Sequence, residues 1–346
     1  MTKRIAVAGA GLIGRRHAAA VQLSPAATLC AIVDPTDEGK AFAQSLGTAW
    51  YPDLATLFAD SEVDGVVLAV PNTVHGVTAL QCVEAGVPAI VEKPFTTDLE
   101  EGRKVLAAAK AAGVPLLTGH HRRYNPLIQK AVEIVQSGKL GHINTVQAQT
   151  WFLKPDHYFD VDWRRKAGAG PVYLNLIHDI DLLHALCGPI ASVHAMESNA
   201  VRGNEVEETA VVLLKFESGV LGTVNVSDAA TAPWSWELTA RENAHYAATS
   251  ENCYWIGGTE GSLSLPNLAV WTHDGPNGWW SPISATKPIF EFDDPLVLQI
   301  THFADVIDGK AEPIASGADG LAAVEVITAI KQSAATGQTV EIASLS

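Results

Sequence analysis

A lysine directly before a proline is the first residue in this chain whose type and position suggest chemistry. Lys93 stands in the tripeptide Glu92-Lys93-Pro94, after the short apolar run Ala89–Val91. Proline keeps the preceding residue extended, and a lysine removed from water gives up its proton readily. If the apolar run is a strand that ends at a ligand crevice, Lys93 is predicted to do acid–base work. A solvated surface lysine is the alternative.

A glycine motif near the N-terminus has the spacing of a dinucleotide-binding turn. Gly9, Gly11 and Gly14 form the pattern G-x-G-x-x-G between an apolar run and a helical pattern. The first glycine allows a tight turn, the second lets backbone approach a pyrophosphate, and the third lets the helix pack on the strand. The N–H groups of the first helical turn, at Leu12 and Ile13, would face the phosphates.

An aspartate follows this motif at the distance expected for a ribose ligand. Asp34 ends the next apolar run, and Pro35, Thr36 and Asp37 follow it without an arginine. An acid here accepts hydrogen bonds from the adenosine ribose and repels a 2′-phosphate. The sequence therefore predicts NAD as cofactor in preference to NADP. A glycine turn beside a surface aspartate is the alternative.

Residues 70–75 form a third segment that follows the end of an apolar run, and they lead into a predicted helix. We expect Val70, Pro71 and Asn72 to meet the cofactor, because ligands bind at the carboxyl edge of such sheets. Asn72 or Thr73 could instead cap the helix. His75 either faces the cofactor or is a polar residue of the first helical turn.

Candidate substrate contacts lie further along the chain. His121 and Tyr124 follow the last apolar run of the first 120 residues, and Asp156 lies in a later loop. On a helix, Asn175 and His178 would lie on or near one face together with Asp181. A helix histidine is more often structural, but Lys93 needs an acid–base partner and His178 is the candidate. We expect His121, Tyr124, Asp156, Asn175 and His178 to bind substrate together with Lys93.

Elements that would position these residues alternate over the first 120 residues, as in a doubly wound parallel α/β sheet. The predicted strands are Ile5–Ala8, Leu29–Val33, Gly65–Val70, Ala89–Val91 and Leu116–Thr118. The predicted helices are Leu12–Gln22, Glu38–Ser45, Leu54–Ala59, Val74–Ala85 and Leu99–Ala112. We therefore predict a dinucleotide-binding domain at residues 1–121.

The remaining residues, 122–346, are predicted to form an α+β domain for substrate binding and oligomerisation. Its sheet is expected to be large, open and mainly antiparallel, because apolar and polar residues alternate from Ser192 to Leu265. Asn267–Pro288, rich in Trp, Pro, Gly and Asn, is predicted to be a long irregular loop. The other predicted elements are the strand Ile143–Trp151 and the helices Pro126–Gln136, Leu174–Leu186, Pro295–Ile307 and Gly320–Ser333. A C-terminal helix is a candidate to pack back on the first domain.

Composition narrows the class of protein. A chain of 346 residues can hold two cores. A net charge of −15 and a pI of about 5.2 argue against nucleic acid and anionic membranes as partners. The four cysteines have no C-x-x-C spacing, which favours reduced thiols in a cytoplasmic protein. No two of the histidines His120, His121, His157 and His178 are spaced i, i+4 on a helix, so no metal site is predicted.

Together these motifs resemble the glucose–fructose oxidoreductase / inositol dehydrogenase / MocA-type oxidoreductase family over nearly the whole chain. The resemblance rests on the glycine motif, Glu92-Lys93-Pro94, Arg-Arg-Tyr-x-Pro at 122–126, Trp163-Arg164, the glycine turn at 168–170 and His178-x-x-Asp181-Leu-Leu. It implies an N-terminal Rossmann domain and a C-terminal domain whose open sheet often forms the oligomer interface, hence a homodimer or homotetramer. It also implies oxidation of a secondary alcohol of a sugar, inositol or related cyclic polyol, or the reverse reaction.

The resemblance assigns roles to individual residues. Lys93 and His178 would flank the reacting carbinol, and one of them would take the hydroxyl proton while the hydride goes to nicotinamide C4. Glu92, Lys93, Trp163 and Arg164 are expected to contact the cofactor. Two other activities occur on this fold: NAD-dependent cleavage of a glycosidic bond and non-catalytic dinucleotide sensing. The presence of both Lys93 and His178 argues against a sensor.

One position departs from the family pattern. The family commonly has an aspartate four residues before the histidine, and this chain has Leu174 there. Asn175 is the nearest polar residue, one position out of helical phase. We therefore expect a ring with fewer hydroxyl groups than a hexose or inositol. Aromatic residues that could line an apolar pocket for it are Trp151, Tyr158, Trp163 and Trp255.

Overall fold

A computed structural model describes residues 2–243 and 245–342 of the chain. The chain forms two compact units. The first runs to Asn125 and also takes up Asp293–Val324. The second comprises Pro126–Phe292 and the chain from Glu325 onward.

The first unit is built on six parallel strands in the order β3-β2-β1-β4-β5-β6. The strands are β1 (Lys3–Ala8), β2 (Ala27–Val33), β3 (Ala49–Tyr51), β4 (Gly65–Leu68), β5 (Ala89–Val91) and β6 (Leu116–Thr118). The helices between them are α1 (Leu12–Leu23), α2 (Asp37–Ser45), α3 (Leu54–Asp60), α4 (His75–Glu84) and α5 (Leu99–Ala112). This strand order reverses direction between β1 and β4, and such a reversal opens a ligand crevice at the carboxyl ends of the strands.

Both faces of this sheet are covered, which explains why its strands are continuously apolar. On one face, side chains such as Ala6 and Leu68 pack in a core with helices α3, α4 and α5. On the other face, Ile5, Val7 and Val67 pack with α1 and α2. The parallel Rossmann fold predicted for this part of the chain is confirmed.

The second unit contains a nine-stranded mixed sheet in the order β14-β13-β12-β11-β7-β10-β9-β8-β15. Its helices up to residue 292 are α6 (Pro126–Gln136), α7 (Ile177–Cys187) and α8 (Trp236–Thr239). Its strands over the same stretch are β7 (Ile143–Trp151), β8 (Ile190–Ser198), β9 (Thr209–Phe216), β10 (Leu221–Ser227), β11 (Tyr254–Gly258), β12 (Gly261–Leu265), β13 (Ala269–His273) and β14 (Ile283–Thr286). The pairing of β10 with β7 is parallel, and the other pairings described are antiparallel.

The C-terminal part of the chain adds α9 (Pro295–Ile307), α10 (Gly317–Thr336) and β15 (Val340–Glu341). Leu296, Ile300 and Phe303 of α9 join the core beneath β1, β2 and β4, so this helix completes the first unit. The boundary between the units falls within α10, after Val324. None of the helices in the described ranges combines the length and apolar content needed to cross a bilayer.

The large sheet of the second unit has one buried and one open face. Along β9 and β10, buried and exposed residues alternate strictly over most of each strand. The register places several partly exposed apolar side chains on the open face: Met196, Val211, Leu213, Leu221, Trp255 and Trp271. The predicted open, mainly antiparallel sheet is confirmed.

One prediction of local structure is wrong, and one strand was missed. Asn267–Pro288 is not one irregular loop, because β13 and β14 pair in it as an antiparallel hairpin, with Val270 opposite Thr286. Turn-forming residues dominate its composition, but cross-strand pairing with β12 decides its structure. The strand β3 was not predicted, since its three residues at a sheet edge are too short for a periodic signal.

Candidate active site

The glycine turn after β1 is tight at its ends and open in the middle. Gly9 has φ +98°, and a Cβ there would collide with the carbonyl of Ala69. A Cβ at Gly14 would collide with the carbonyl of Gly9. A Cβ at Gly11 would meet no atom within 4 Å, and no side chain caps the start of α1. The N–H groups at Leu12 and Ile13, which no side chain caps, and the space above Gly11 therefore fit a pyrophosphate.

Asp34 is tied to this turn and to the segment that follows β2. Its carboxylate accepts hydrogen bonds from the Ala10 N–H (2.8 Å) and from the N–H (2.9 Å) and hydroxyl (2.5 Å) of Thr36. Burial alone would raise the pKa of Asp34, but these hydrogen bonds and the charge of Arg15 outweigh it, and the pKa is lowered. A carboxylate can accept further hydrogen bonds, so Asp34 is an ionised acceptor suited to a ribose diol.

The segment after β4 is held by His75 rather than by a helix cap. His75 is fully buried, and its ring nitrogens lie 2.7 Å from the Pro94 carbonyl and 3.0 Å from the Val70 carbonyl. Neither the short 3₁₀ turn Asn72–Val74 nor α4 has a side-chain cap at its N-terminus. Pro71 and Asn72 are exposed at the carboxyl edge of the sheet. Their predicted contact with the cofactor stays a prediction.

Glu92 is a buried carboxylate beside the candidate lysine. Its Oε1 lies 2.6 Å from Nε2 of His17, and its Oε2 accepts the N–H of Lys93 at 3.1 Å. Burial alone would raise the pKa of Glu92, but the hydrogen bond and charge of His17, with the charges of Lys93 and His121, lower it to about 2. Lys93, just beyond β5, is partly buried. Sequence reasoning missed His17, because nothing local links it to residue 92.

The segment after β6 places the next candidates. His121 opens a 3₁₀ turn, His121–Tyr124, and is partly buried. The side chain of Tyr124 is buried, and its ring lies 5.5 Å from the ring of His302. His120 is fully buried, and burial, reinforced by the charge of Arg123, lowers its pKa to about 3. His120 is therefore neutral at physiological pH.

In the second unit, α7 carries His178 on a buried stretch. His178, Asp179 and Asp181 are all less than a tenth exposed. The hydroxyl of Tyr254 on β11 donates a hydrogen bond to Oδ1 of Asp179. This contact fastens α7 to the buried face of the large sheet. Trp255 follows Tyr254 on β11 and points to the opposite, open face. Trp255 therefore lies on the face of the sheet opposite the one that Asp179 contacts, and its predicted place in the wall of an apolar substrate pocket stays a prediction.

The chain enters α7 through a π-helical turn, Val172–Leu176. The predicted helix from Leu174 is therefore irregular at its start, and the α-helical phase assumed for Leu174 and Asn175 does not apply there. Asn175 is partly buried, and its Oδ1 has no hydrogen-bond partner among residues 2–243 and 245–342.

Glu207 supports this turn, although no sequence pattern indicated it. The buried Glu207 accepts the N–H of Val172 at 3.0 Å and the ammonium group of Lys331 at 2.6 Å. Gly170 has φ +89°, and a Cβ there would collide with the Glu207 carboxylate. The glycine turn at 168–170 thus allows a buried carboxylate to hold the start of the His178 segment.

The remaining candidates lie in short 3₁₀ turns after β7. Asp156 is exposed at the start of one turn, and Trp163 is exposed in the next. The Arg164 guanidinium donates to the Tyr158 carbonyl at 2.8 Å and stacks over the Tyr158 ring at 4.0 Å. The cofactor contacts predicted for Trp163 and Arg164, and the substrate contact predicted for Asp156, stay predictions.

Within the first unit, the topology brings most candidates to one edge. The glycine turn, Asp34, Val70–Asn72, Glu92-Lys93 and His121 all follow the carboxyl ends of parallel strands. In a sheet whose strand order reverses at β1 and β4, this edge is where a dinucleotide binds. The residues at this edge therefore fit a nicotinamide dinucleotide by their turn geometry and by the ionised acid at residue 34.

Comparison with known proteins agrees with this geometry. Residues 3–120 match the profile described as "Oxidoreductase family, NAD-binding Rossmann fold", and residues 128–264 match "GFO/IDH/MocA C-terminal domain". Inositol 2-dehydrogenase 2 of Saccharopolyspora erythraea is 29% identical, with 99% of this chain and 97% of that protein covered. The scyllo-inositol 2-dehydrogenase (NAD(+)) of Bacillus subtilis is 26% identical, with 98% and 96% covered.

A solved structure is similar over the same extent. The WlbA dehydrogenase from Bordetella pertussis, in complex with NADH and UDP-GlcNAcA, superposes with a TM-score of 0.79 and 26% identity. The alignment covers 99% of this chain and 100% of that chain. Both halves of the sequence thus match one family in order, and the first half is its NAD-binding Rossmann domain. The chain belongs to the GFO/IDH/MocA family of oxidoreductases.

Proposed function

We propose that the protein is an NAD-dependent dehydrogenase that transfers a hydride between a secondary alcohol and the nicotinamide. The alcohol belongs to a sugar, inositol or related cyclic polyol or diol. The observation that carries this proposal is the position of Lys93, beside the ionised Glu92 and at the same sheet edge as the open glycine turn. The names of the inositol dehydrogenases among the relatives support the class of substrate.

In this proposal Lys93 and His178 bind the reacting carbinol. Lys93, as the neutral amine, accepts the hydroxyl proton, and His178 hydrogen-bonds the same oxygen. The bound NAD supplies the acceptor for the hydride. The alcohol loses one proton and one hydride and becomes a carbonyl compound; the reverse reaction returns both.

The proposed cofactor contacts follow the carboxyl edge of the first sheet. The N–H groups of the turn from Gly9 to Gly14 bind the pyrophosphate, and Asp34 binds the adenosine ribose. Val70, Pro71 and Asn72 lie along the nicotinamide half, with Trp163 and Arg164 as contacts from the second unit. The ionised carboxylate of Asp34 supports NAD over NADP, because it would repel a 2′-phosphate.

The substrate is proposed to carry fewer hydroxyl groups than inositol near His178. The Leu174 side chain offers no polar atom to a ring hydroxyl, and Asn175 offers a buried Oδ1 that has no partner within the described ranges. A buried acceptor without a partner favours a ligand hydroxyl that can satisfy it. His121, Tyr124 and Asp156 are proposed to complete the substrate contacts.

The open face of the large sheet is the proposed interface of a homodimer or homotetramer. It presents Met196, Val211 and Leu213, all more than a third exposed, on the neighbouring strands β8 and β9, where Met196 lies opposite Val211. Contiguous exposed apolar side chains of this kind mark association surfaces.

The test is to incubate the protein with NAD and a panel of sugars, inositols and cyclic cis-diols while following absorbance of the reduced cofactor. Formation of NADH with a ring alcohol supports the proposal, and faster oxidation of a diol than of inositol supports the role of Leu174. Release of a sugar without NADH would instead show a glycosidase. Tight NAD binding without turnover of any compound would show a sensor.

A further inference from the structure

A buried histidine of α1 holds the carboxylate next to Lys93. His17 is 0% exposed, and its Nε2–H points at Oε1 of Glu92, 2.6 Å away. The other ring nitrogen, Nδ1, is buried and has no hydrogen-bond partner in the described part of the chain. Within the described residues, the hydrogen bond to Glu92 is therefore the polar contact that the His17 side chain makes. It joins the helix that starts at the glycine turn to the tripeptide that follows β5.

Both oxygens of the Glu92 carboxylate are engaged. While Oε1 meets His17, Oε2 accepts the N–H of Lys93 at 3.1 Å. A Cβ at Gly119, beside β6, would come within 2.7 Å of this carboxylate, so residue 119 leaves room for it only as glycine. The carboxylate is thus enclosed by residues of α1, of the tripeptide after β5 and of the segment after β6.

The same tripeptide is fastened from its other side by His75. One ring nitrogen of this buried histidine lies 2.7 Å from the Pro94 carbonyl, and the other lies 3.0 Å from the Val70 carbonyl. Lys93 therefore lies between two residues that are each anchored by a buried histidine, Glu92 by His17 and Pro94 by His75.

We propose that Glu92 is a positioning residue for Lys93, fixed in place by His17, and that its carboxylate serves as a permanent negative charge at the Lys93 backbone rather than as a ligand of the cofactor. The inference rests on the proposed function of Lys93 as the acid–base group. The titratable and charged groups that face this carboxylate are His17 on α1, Lys93 itself, and His120 and His121 after β6.

The charge has a definite effect on Lys93. A neighbouring anion favours the ammonium form, so removing it lowers the pKa of the lysine. In alcohol oxidation the neutral amine is the active form, and the rising limb of kcat/KM with pH should therefore move to lower pH in a Glu92→Gln variant. The lost orientation should also lower kcat by about 10²-fold, the size of effect that a misplacement of about 1 Å produces.

The experiment compares Glu92→Gln, Glu92→Asp and His17→Phe with Val21→Ala. Val21 lies one turn beyond His17 on the same helix and is fully buried in the core, so its truncation reports lost packing alone. The first readout is the pH dependence of Lys93 acetylation by acetic anhydride, followed by mass spectrometry, which needs no turnover. The second is kcat, KM and the Kd for NAD across pH.

We expect Glu92→Gln to lower the pKa of Lys93 and to lower kcat, with the Kd for NAD changed only a few-fold. Glu92→Asp keeps the charge, so Lys93 should have the same pKa as in the wild type. His17→Phe should lower kcat, as the Glu92 variants do. Val21→Ala should change thermal stability alone.

An unchanged lysine pKa and kcat in Glu92→Gln would overturn the inference. A large rise in the Kd for NAD with an unchanged lysine pKa would also overturn it, since Glu92 would then be a cofactor ligand. If the wild-type protein oxidises no ring alcohol, the proposed function fails, but the acetylation experiment still decides the role of Glu92. Should Glu92→Gln not fold, His17→Phe carries the decision through kcat and the Kd for NAD: a lowered kcat with a Kd changed only a few-fold is expected, and an unchanged kcat or a large rise in the Kd would overturn the inference.

Discussion

Two buried groups, Glu92 next to Lys93 and His120 after β6, are each fixed in one protonation state at neutral pH. Glu92 is ionised, with its pKa lowered to about 2, and His120 is neutral, with its pKa lowered to about 3. Neither group changes charge between pH 5 and 8. A charge that does not change with pH beside a proposed acid–base residue is the arrangement expected of a tuned site.

The low pKa of Glu92 predicts how acid affects stability. Because the pKa falls from 4.5 to about 2 on folding, ionised Glu92 stabilises the protein above pH 4.5, and this contribution is lost as the pH falls toward 2. Glu92→Gln should therefore melt at a lower temperature than wild type near neutral pH, and the difference should shrink below pH 4.5. Melting curves by circular dichroism check this. Glu133→Gln, at an exposed position of α6, is the control; a Glu92 difference that is constant with pH would contradict the prediction.

Asp34 should decide the choice of cofactor. Asp34→Ala removes a charged acceptor, which we expect to raise the KM for NAD by roughly tenfold to hundredfold, the equivalent of about 1.5–3 kcal/mol. It should also raise kcat/KM for NADP relative to NAD, because the repulsion of a 2′-phosphate is removed. Steady-state kinetics with both cofactors measure this. Asp37→Ala, in the first turn of α2, is the control. An unchanged NAD to NADP ratio would remove Asp34 from the ribose site.

Local pattern predicted some of these residues and could not predict others. Gly9, Gly11 and Gly14 with Asp34 are recognisable because their spacing is set by one turn and one strand. His17 and Glu92 are 75 residues apart, and their contact depends on the packing of α1 against the sheet. Glu207 reaches the turn before α7 from 35 residues away. Nothing in the composition or periodicity around these residues reports such contacts.

Among the secondary-structure elements, the start of α7 differs most from a regular helix. A π-helical turn replaces the first α-helical turn, and the buried carboxylate of Glu207 accepts the N–H of Val172 at its beginning. Helical periodicity at Leu174–Leu186 predicted the element but not this turn, because π turns have no distinct period in sequence. Because of this π-helical turn, the angle around the helix axis between Asn175 and His178 could not be predicted from α-helical spacing.

Two glycines before this helix allow a matched experiment. Gly168 and Gly170 have φ of +91° and +89°, but a Cβ at Gly168 would meet nothing within 4 Å, whereas a Cβ at Gly170 would collide with Glu207. Gly168→Ala should cost about 1–2 kcal/mol for its left-handed backbone. Gly170→Ala should cost distinctly more and should lower kcat. Urea denaturation and kinetics check both. Equal losses of stability would show that Glu207 does not constrain the turn.

The strands show where composition misleads. Asn267–Pro288 contains the residues of a loop, yet β13 and β14 form there because β12 offers an unpaired edge. The longer strands of the first unit were predicted to within a few residues, since burial on both faces leaves continuous apolar runs. The pattern of apolar residues along the sequence thus predicts central strands well and strands at a sheet edge poorly.

For the molecule as a whole, charge and exposed apolar surface act in opposite directions. A net charge of −15 keeps copies of the chain apart. The open face of the large sheet nevertheless presents Leu213, Trp255 and Trp271 to solvent. An association surface on this face reconciles the two, because a specific apolar contact can outweigh diffuse repulsion that salt screens.

A charge on the open face should therefore change the assembly state. Leu213→Glu is expected to shift the protein from an oligomer to a monomer without unfolding it, as measured by light scattering after size exclusion. Val161→Glu, an exposed apolar residue in a loop after β7, is the control and should leave the mass unchanged. An oligomer that persists in Leu213→Glu, or a wild-type monomer, would place the interface elsewhere or show that there is none.

Isotope transfer shows whether Lys93 serves hydride transfer from a ring alcohol to NAD. A ring alcohol deuterated at the carbinol carbon is incubated with NAD and the protein, and the cofactor is examined by mass spectrometry. We predict deuterated NADH with the wild type and a rate lowered by roughly 10²–10⁴-fold in Lys93→Ala, with NAD binding largely intact. No deuterium in the cofactor with any alcohol of the panel, or a Lys93→Ala rate within a few-fold of wild type, would contradict this role of Lys93 in hydride transfer.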